Sequence, residues 1–277
     1  MGFFGGYGNA GPGVAKNTAQ KRSFFKFLEV YFRRFWKLIP LNLLFLVFCI
    51  PVVTIGPATA GITKVCRNFT QERNAFIWGD FIDSFKKNFK QSFLMGLIDI
   101  VVAGISVAGI SVYGQLAAQQ KIFLIPMAIY LGCMLIFLMM HFYIYPMIVS
   151  TTLSFKQIFK NSFLLVSIGA KKSLITLVII VVSVLLTLLL AMAYTTLAVA
   201  LLMVLLWVFS FNFFVISFNC FPVIRAHVIE PYYKKLGEDN PEFSYLKTDA
   251  DAVFADKGGT EAPVVEPKKK SGGKRIS

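Results

Sequence analysis

From Leu174 to Ile224 the chain carries no charged side chain of either sign, and from Ile100 to Ile229 it carries no Asp or Glu. A soluble fold cannot expose that surface. The 49 residues from Leu174 to Pro222 would rise about 73 Å as one helix, against a hydrocarbon core of about 30 Å. The run is therefore predicted to cross twice, with a split near Ala193-Tyr194-Thr195-Thr196 and spans over 174–193 and 198–221. Composition agrees. Charged residues make up 15% of the chain, whereas a soluble domain carries about 25%.

Three earlier apolar runs read as spans over 38–55, 93–115 and 122–149. Amphipathic stretches stand between them. In residues 23–37 the positions Phe24, Phe27, Leu28, Tyr31 and Phe35 recur at helical spacing among Lys26, Arg33, Arg34 and Lys37. This pattern suits a helix lying in the membrane interface or one packed on the protein's own surface. Gly79–Gln91 sets Phe81, Phe85 and Phe89 four apart with lysines between, and Thr151–Lys172 is a third such stretch. Residues 1–22 are Gly-rich and read as a flexible arm, and residues 225–277 as a mostly disordered polar tail. The expected fold is thus an all-α polytopic membrane helix bundle of about five spans with interfacial amphipathic helices.

An internal repeat is visible. Phe89-Lys90-Gln91-Ser92-Phe93-Leu94 recurs as Phe159-Lys160-Asn161-Ser162-Phe163-Leu164, each copy preceding a hairpin that ends in an aromatic–Pro pair, Tyr145-Pro146 or Phe221-Pro222. Two parallel repeats related by an axis along the membrane normal would produce this.

The net charge of +14 reads as inside-facing loops and attraction to anionic lipid rather than to nucleic acid. Residues 57–90 hold six Lys or Arg, residues 150–173 four, and the tail after Ile224 ten. These segments are expected in the cytoplasm. A single crossing by span 38–55 would then put residues 1–37, with seven Lys or Arg, outside. That is the preferred expectation. The alternative is a re-entrant hairpin, 38–50 in and 57–70 back, which keeps both flanks inside.

Polar residues within spans are costly and are functional candidates by default. Counted from the predicted helix ends, Asn42, Asp99, His141 and Asn212 all lie about 12–15 Å deep. They form a candidate polar layer, with Asp99 and His141 on consecutive antiparallel helices. The layer is either a substrate or proton site or a hydrogen-bonded packing network. The second candidate is the break at Pro51, Thr54, Gly56, Pro57 and Thr59. Two prolines six apart cannot share a regular helix, so one helix should end near Pro51 and the next begin with Pro57 at its first position. The break is either an interfacial corner or a broken helix whose free backbone groups line a site. Cys49, Cys66, Cys133 and Cys220 have no metal or disulfide spacing. Only two histidines occur, and hydrolase, nucleotide and metalloprotease motifs are absent from the sequence. No catalytic residue, cofactor or metal is expected.

The run Pro51-Val52-Val53-Thr54-Ile55-Gly56-Pro57-Ala58-Thr59-Ala60-Gly61, with Asn42-Leu43-Leu44 before it and Asp80-Phe81 and Ser84-Phe85-Lys86-Lys87-Asn88-Phe89 after it, resembles the YesL-like family of bacterial integral membrane proteins of unknown function. The resemblance extends over residues 24–225. It implies a multi-pass protein of the bacterial plasma membrane with an accessory part in carbohydrate uptake or utilisation. Subunits of a sugar ABC importer are then candidate partners beside the lipid bilayer. It brings no catalytic residues. The basic arm departs from the topology the family implies.

Overall fold

The structure is a computed structural model that describes residues 23–193, 204–238 and 240. The predicted flexible arm, most of the tail and the split after Ala193 lie outside them. Among the described residues the fold is all-helical. The chain forms two units, Met1–Pro231 and Tyr232–Ser277. In the second, the described residues end a helix and turn at Gly237, whose positive φ of 68° suits glycine.

Helix α1 runs Ser23–Cys49, α2 Ile55–Thr70, α3 Ile77–Lys87, α4 Phe89–Gln119, α5 Leu124–Ser150, α6 Phe155–Ile168, α7 Ala170–Ala193, α8 Phe209–Ile224 and α9 Glu230–Leu236. Short 3-10 turns occupy Val52–Thr54 and Lys121–Phe123, and π turns Val204–Val208 and Arg225–Ile229 flank α8. The polar segment from Arg225 to Leu236 is therefore helical rather than disordered.

Among the described residues, four stretches are long and apolar enough to cross a membrane: Phe89–Gln119, Lys121–Ser150, Ala170–Leu190 and Leu206–Leu236. The protein is a membrane helix bundle built on two hairpins, α4/α5 and α7/α8. The expected fifth span over 38–55 is not among them. Residues 23–37 and 38–49 instead form one helix that continues through Pro40. An interior proline costs about 3 kcal/mol. A single buried face outweighs it, running from Val30 and Tyr31 through Leu38, Leu41 and Asn42 to Phe45.

The chain then folds back. Arg33 and Lys26 of α1 reach Glu72, just past α2, at 2.6 and 3.8 Å, and Arg34 donates to the Arg73 carbonyl at 3.4 Å. At the other end Thr54 bonds Phe48. So α1 and α2 form an antiparallel hairpin with its open ends together. This excludes the preferred topology, in which span 38–55 separates residues 23–37 from 57–90. The geometry is that of the re-entrant alternative, and the two basic flanks share one end.

Helix α2 is the centre of the fold. Apart from Lys64, every residue from Gly56 to Phe69 is buried, among α1, α3, α4, α5 and α8. Arg67, a charged side chain, is 1% exposed. Its guanidinium carbon lies 5.3 Å over the Phe221 ring, a cation–π geometry that lowers the cost of burying the charge.

The predicted repeat takes two local forms. In the first copy the chain breaks at Asn88 and the motif opens α4. In the second the motif lies inside α6 and the break falls at Gly169. The equivalent serines behave alike. Ser92 and Ser162 are fully buried and donate to the carbonyls four residues back, at 2.6 and 2.8 Å. A capping box, Ser154 with Gln157, starts α6. The four-residue phenylalanine spacing produces a continuous ladder, Phe81–Phe85–Phe89–Phe93, that passes the Asn88 break with ring centroids 5.7–6.5 Å apart.

Candidate functional site

Asp99 on α4 and His141 on α5 meet. His141 Nε2 lies 2.6 Å from Asp99 Oδ1, and its Nδ1 lies 2.9 Å from the Phe137 carbonyl one turn earlier. Tyr145, one turn further along α5, donates its hydroxyl to Asp99 Oδ2 at 2.8 Å. Both carboxylate oxygens are therefore held, as a carboxylate in an apolar surrounding requires. Tyr145 is buried, whereas the Asp99 and His141 side chains keep 28% and 20% exposure. Sequence reasoning treated Tyr145 only as half of an aromatic–Pro pair. Its position four residues after His141, on the same helix face, was the available signal.

Asn42 belongs elsewhere. Fully buried on α1, its Oδ1 accepts the Ser210 backbone N–H at 2.8 Å. That N–H stands at the start of α8, just after the Val204–Val208 π turn, where the regular ladder is interrupted. The Ser210 carbonyl in turn takes the Cys66 thiol of α2 at 3.8 Å. Burial pushes that thiol up, which keeps it a donor. Trp207, within the turn, donates to the Tyr31 hydroxyl of α1. Asn42 thus helps lock a three-helix junction.

Asn212 has a third setting. Its Oδ1 accepts from Ser183 on α7 at 2.7 Å. It belongs to a polar track between the second-hairpin helices: Thr176 with Asn219 at 3.1 Å and Cys220 at 3.7 Å, then Ser173 with Tyr143 of α5 at 2.7 Å. Ser173, Thr176, Ser183 and Thr187 form one buried stripe. Their helical spacing inside an uncharged run was legible in the sequence. Of the four residues expected in one layer, the structure joins Asp99 to His141 and sends Asn42 and Asn212 to other neighbours.

The helix break closes on itself. Pro51 is extended, with ψ 114°. The Thr54 hydroxyl lies 2.5 Å from the Phe48 carbonyl and 2.7 Å from that of Pro51, taking up groups left over at the end of α1. Helix α2 begins at Ile55, so Pro57 is its third residue rather than its first. It still lies in the first turn, where a missing N–H costs no bond. Thr59 donates back to Ile55 at 2.8 Å. Gly56 packs directly on α4: a Cβ there would stand 2.0 Å from the Ser92 carbonyl oxygen. The start of α2 is covered by backbone.

The corner, α2, α3 and α4 as far as Asp99 fall within one recognisable stretch. Residues 38–110 match the model of a protein family of unknown function, DUF624. The matched stretch contains Asn42, the whole helix break and Asp99. His141, Tyr145 and the α7/α8 track lie beyond it. No curated protein and no solved structure matches the chain.

Proposed function

We propose that this is a non-enzymatic accessory protein of the bacterial plasma membrane that serves carbohydrate uptake by docking on the membrane subunits of a sugar ABC importer. The supporting observation is an exposed aromatic stripe on α1, formed by Phe25, Phe32 and Trp36 and accompanied by Phe76 and Trp78 at the start of α3. Trp36 and Phe76 are 79% and 80% exposed. Lys26, Arg33 and Lys37 interleave with the stripe. Aromatic anchors and arginine are residue types enriched at protein interfaces. The carbohydrate link rests on the resemblance of the Pro51–Gly61 run. The basic ends of α1 and α2 face the cytoplasm in this reading. A photo-crosslinking residue at Trp36 or Trp78 is expected to capture a sugar-importer membrane subunit in intact cells, whereas one at Val107, on the apolar α4 arm, is expected to capture lipid. Lipid adducts alone at all three positions would overturn the reading.

A second reading, a small solute transporter or channel, is favoured by the Asp99–His141 bond, which sits in a spanning hairpin and remains partly exposed. It expects glycan-fragment flux in proteoliposomes that Asp99→Asn abolishes. Wild-type protein that passes no fragment would eliminate it.

A further inference from the structure

The Asp99–His141 contact has a proton count that its geometry fixes. The Phe137 carbonyl can only accept, so the 2.9 Å contact puts a hydrogen on His141 Nδ1. The 2.6 Å contact between Nε2 and Asp99 Oδ1 then needs a proton of its own. Without one, a nitrogen lone pair would face carboxylate lone pairs at that distance. The pair in this geometry therefore holds one proton between its two sides and is neutral overall, whichever atom carries it. Tyr145 supplies its hydroxyl hydrogen to Asp99 Oδ2, which stabilises the carboxylate whether or not His141 stays.

We propose that Asp99, His141 and Tyr145 form an exchangeable one-proton site that ties α4 to α5. The ligand is a proton, held between His141 Nε2 and Asp99 Oδ1. Its departure leaves neutral His141 with hydrogen on Nδ1 and an Asp99 carboxylate, so the site gains one negative charge. The Nε2···Oδ1 tie breaks, His141 turns from Asp99, and the Tyr145 bond remains as the pivot. The proposal is independent of any importer partner.

The other titratable groups on the surrounding elements are Lys64, Cys66 and Arg67 on α2, and Asp80, Asp83, Lys86 and Lys87 on α3. The hairpin itself carries Lys90, Tyr113, Lys121 in its turn, Tyr130, Cys133 and Tyr143. Lys156 and Lys160 lie on α6, Lys171 and Lys172 on α7, and Cys220 on α8. Asp99 itself is bonded by His141 and Tyr145. Tyr143 and Cys220 bond the α7 track, and Arg67 lies on Phe221.

The chain has two histidines, so His227→Gln leaves His141 as the single reporter. Full-length protein in lipid nanodiscs, labelled with ¹⁵N-histidine, is followed by NMR from roughly pH 5 to 9, the range over which environment moves an imidazole. In parallel, spin labels at V101C and L138C report the distance between α4 and α5, with Cys49 and Cys133 replaced by Ser. The expected result is one step in the His141 nitrogen shifts, with a lengthening of the label distance at the same pH. Asp99→Asn removes the coupling between step and distance, and Tyr145→Phe moves the step without removing it. The proposal is overturned if His141 shows no step in this range, if the distance does not follow it, or if Asp99→Asn leaves both unchanged. The Tyr145→Phe variant keeps the test decisive should Asp99→Asn fail to fold.

Discussion

Gly56→Ala is expected to cost about 3 kcal/mol, at the upper end of overpacking effects, and to lower the melting temperature of the purified protein by several degrees. The added methyl would stand 2.0 Å from the Ser92 carbonyl oxygen, 2.9 Å from its carbon and 3.1 Å from Gly96 Cα. All three neighbours are backbone, so no rotamer change relieves the clash and α2 must move off α4. The paired test is Gly96→Ala, whose methyl would meet the Gly56 backbone at 2.9 Å and should fail similarly. Gly104→Ala is the control. It adds a methyl where no atom lies within 4 Å, and in a helix interior it gains up to about 1 kcal/mol of propensity. Fluorimetric melting in detergent measures all three. A Gly56→Ala protein that melts with the wild type would mean that α2 and α4 do not cross as described.

The second large effect is expected at Asn42. Asn42→Leu keeps the branched shape and heavy-atom count of the side chain but removes the acceptor for the Ser210 N–H, stranding a buried backbone donor at a cost of about 1–3 kcal/mol. The amide of Ser210 should exchange with solvent faster, and the melting temperature should fall. Cys66→Ala removes the other side-chain contact to Ser210, a weak thiol bond of 3.8 Å, and is expected to lose less than Asn42→Leu. Equal losses for the two variants would show that the junction depends on core volume rather than on the amide.

These sites differ in how far the sequence revealed them. The spanning hairpins follow from uninterrupted apolar runs, whose length alone dictates a crossing. Asp99 and His141 were paired by depth, since consecutive antiparallel helices with polar groups at one level are adjacent by connectivity. Depth says nothing about which way a helix is turned. That is why Asn42 and Asn212, at similar depth, reach unrelated partners. The setting of α2 was hidden for a different reason. Thr59, Thr63, Lys64, Arg67 and Asn68 give it the composition of a surface helix, yet five other helices cover it. Burial of this kind is decided by tertiary contacts far along the chain, and no local pattern records it. The expected boundary between residues 23–37 and 38–55 gave way in the same manner: one packing face runs across it and through Pro40.

The position of α2 also constrains how the protein is made. Its neighbours are α1, α3, α4, α5 and α8, so the wall around it comes from both ends of the bundle's sequence, the last part from residues 209–224. Synthesis releases α2 long before it reaches Ser210, whose N–H donates to Asn42 and whose carbonyl accepts from Cys66, or Phe221, on which Arg67 rests. The two spanning hairpins can enter the bilayer in turn as they emerge. The buried core cannot close until the last of them arrives, so the earliest part of the chain is the last to be sealed.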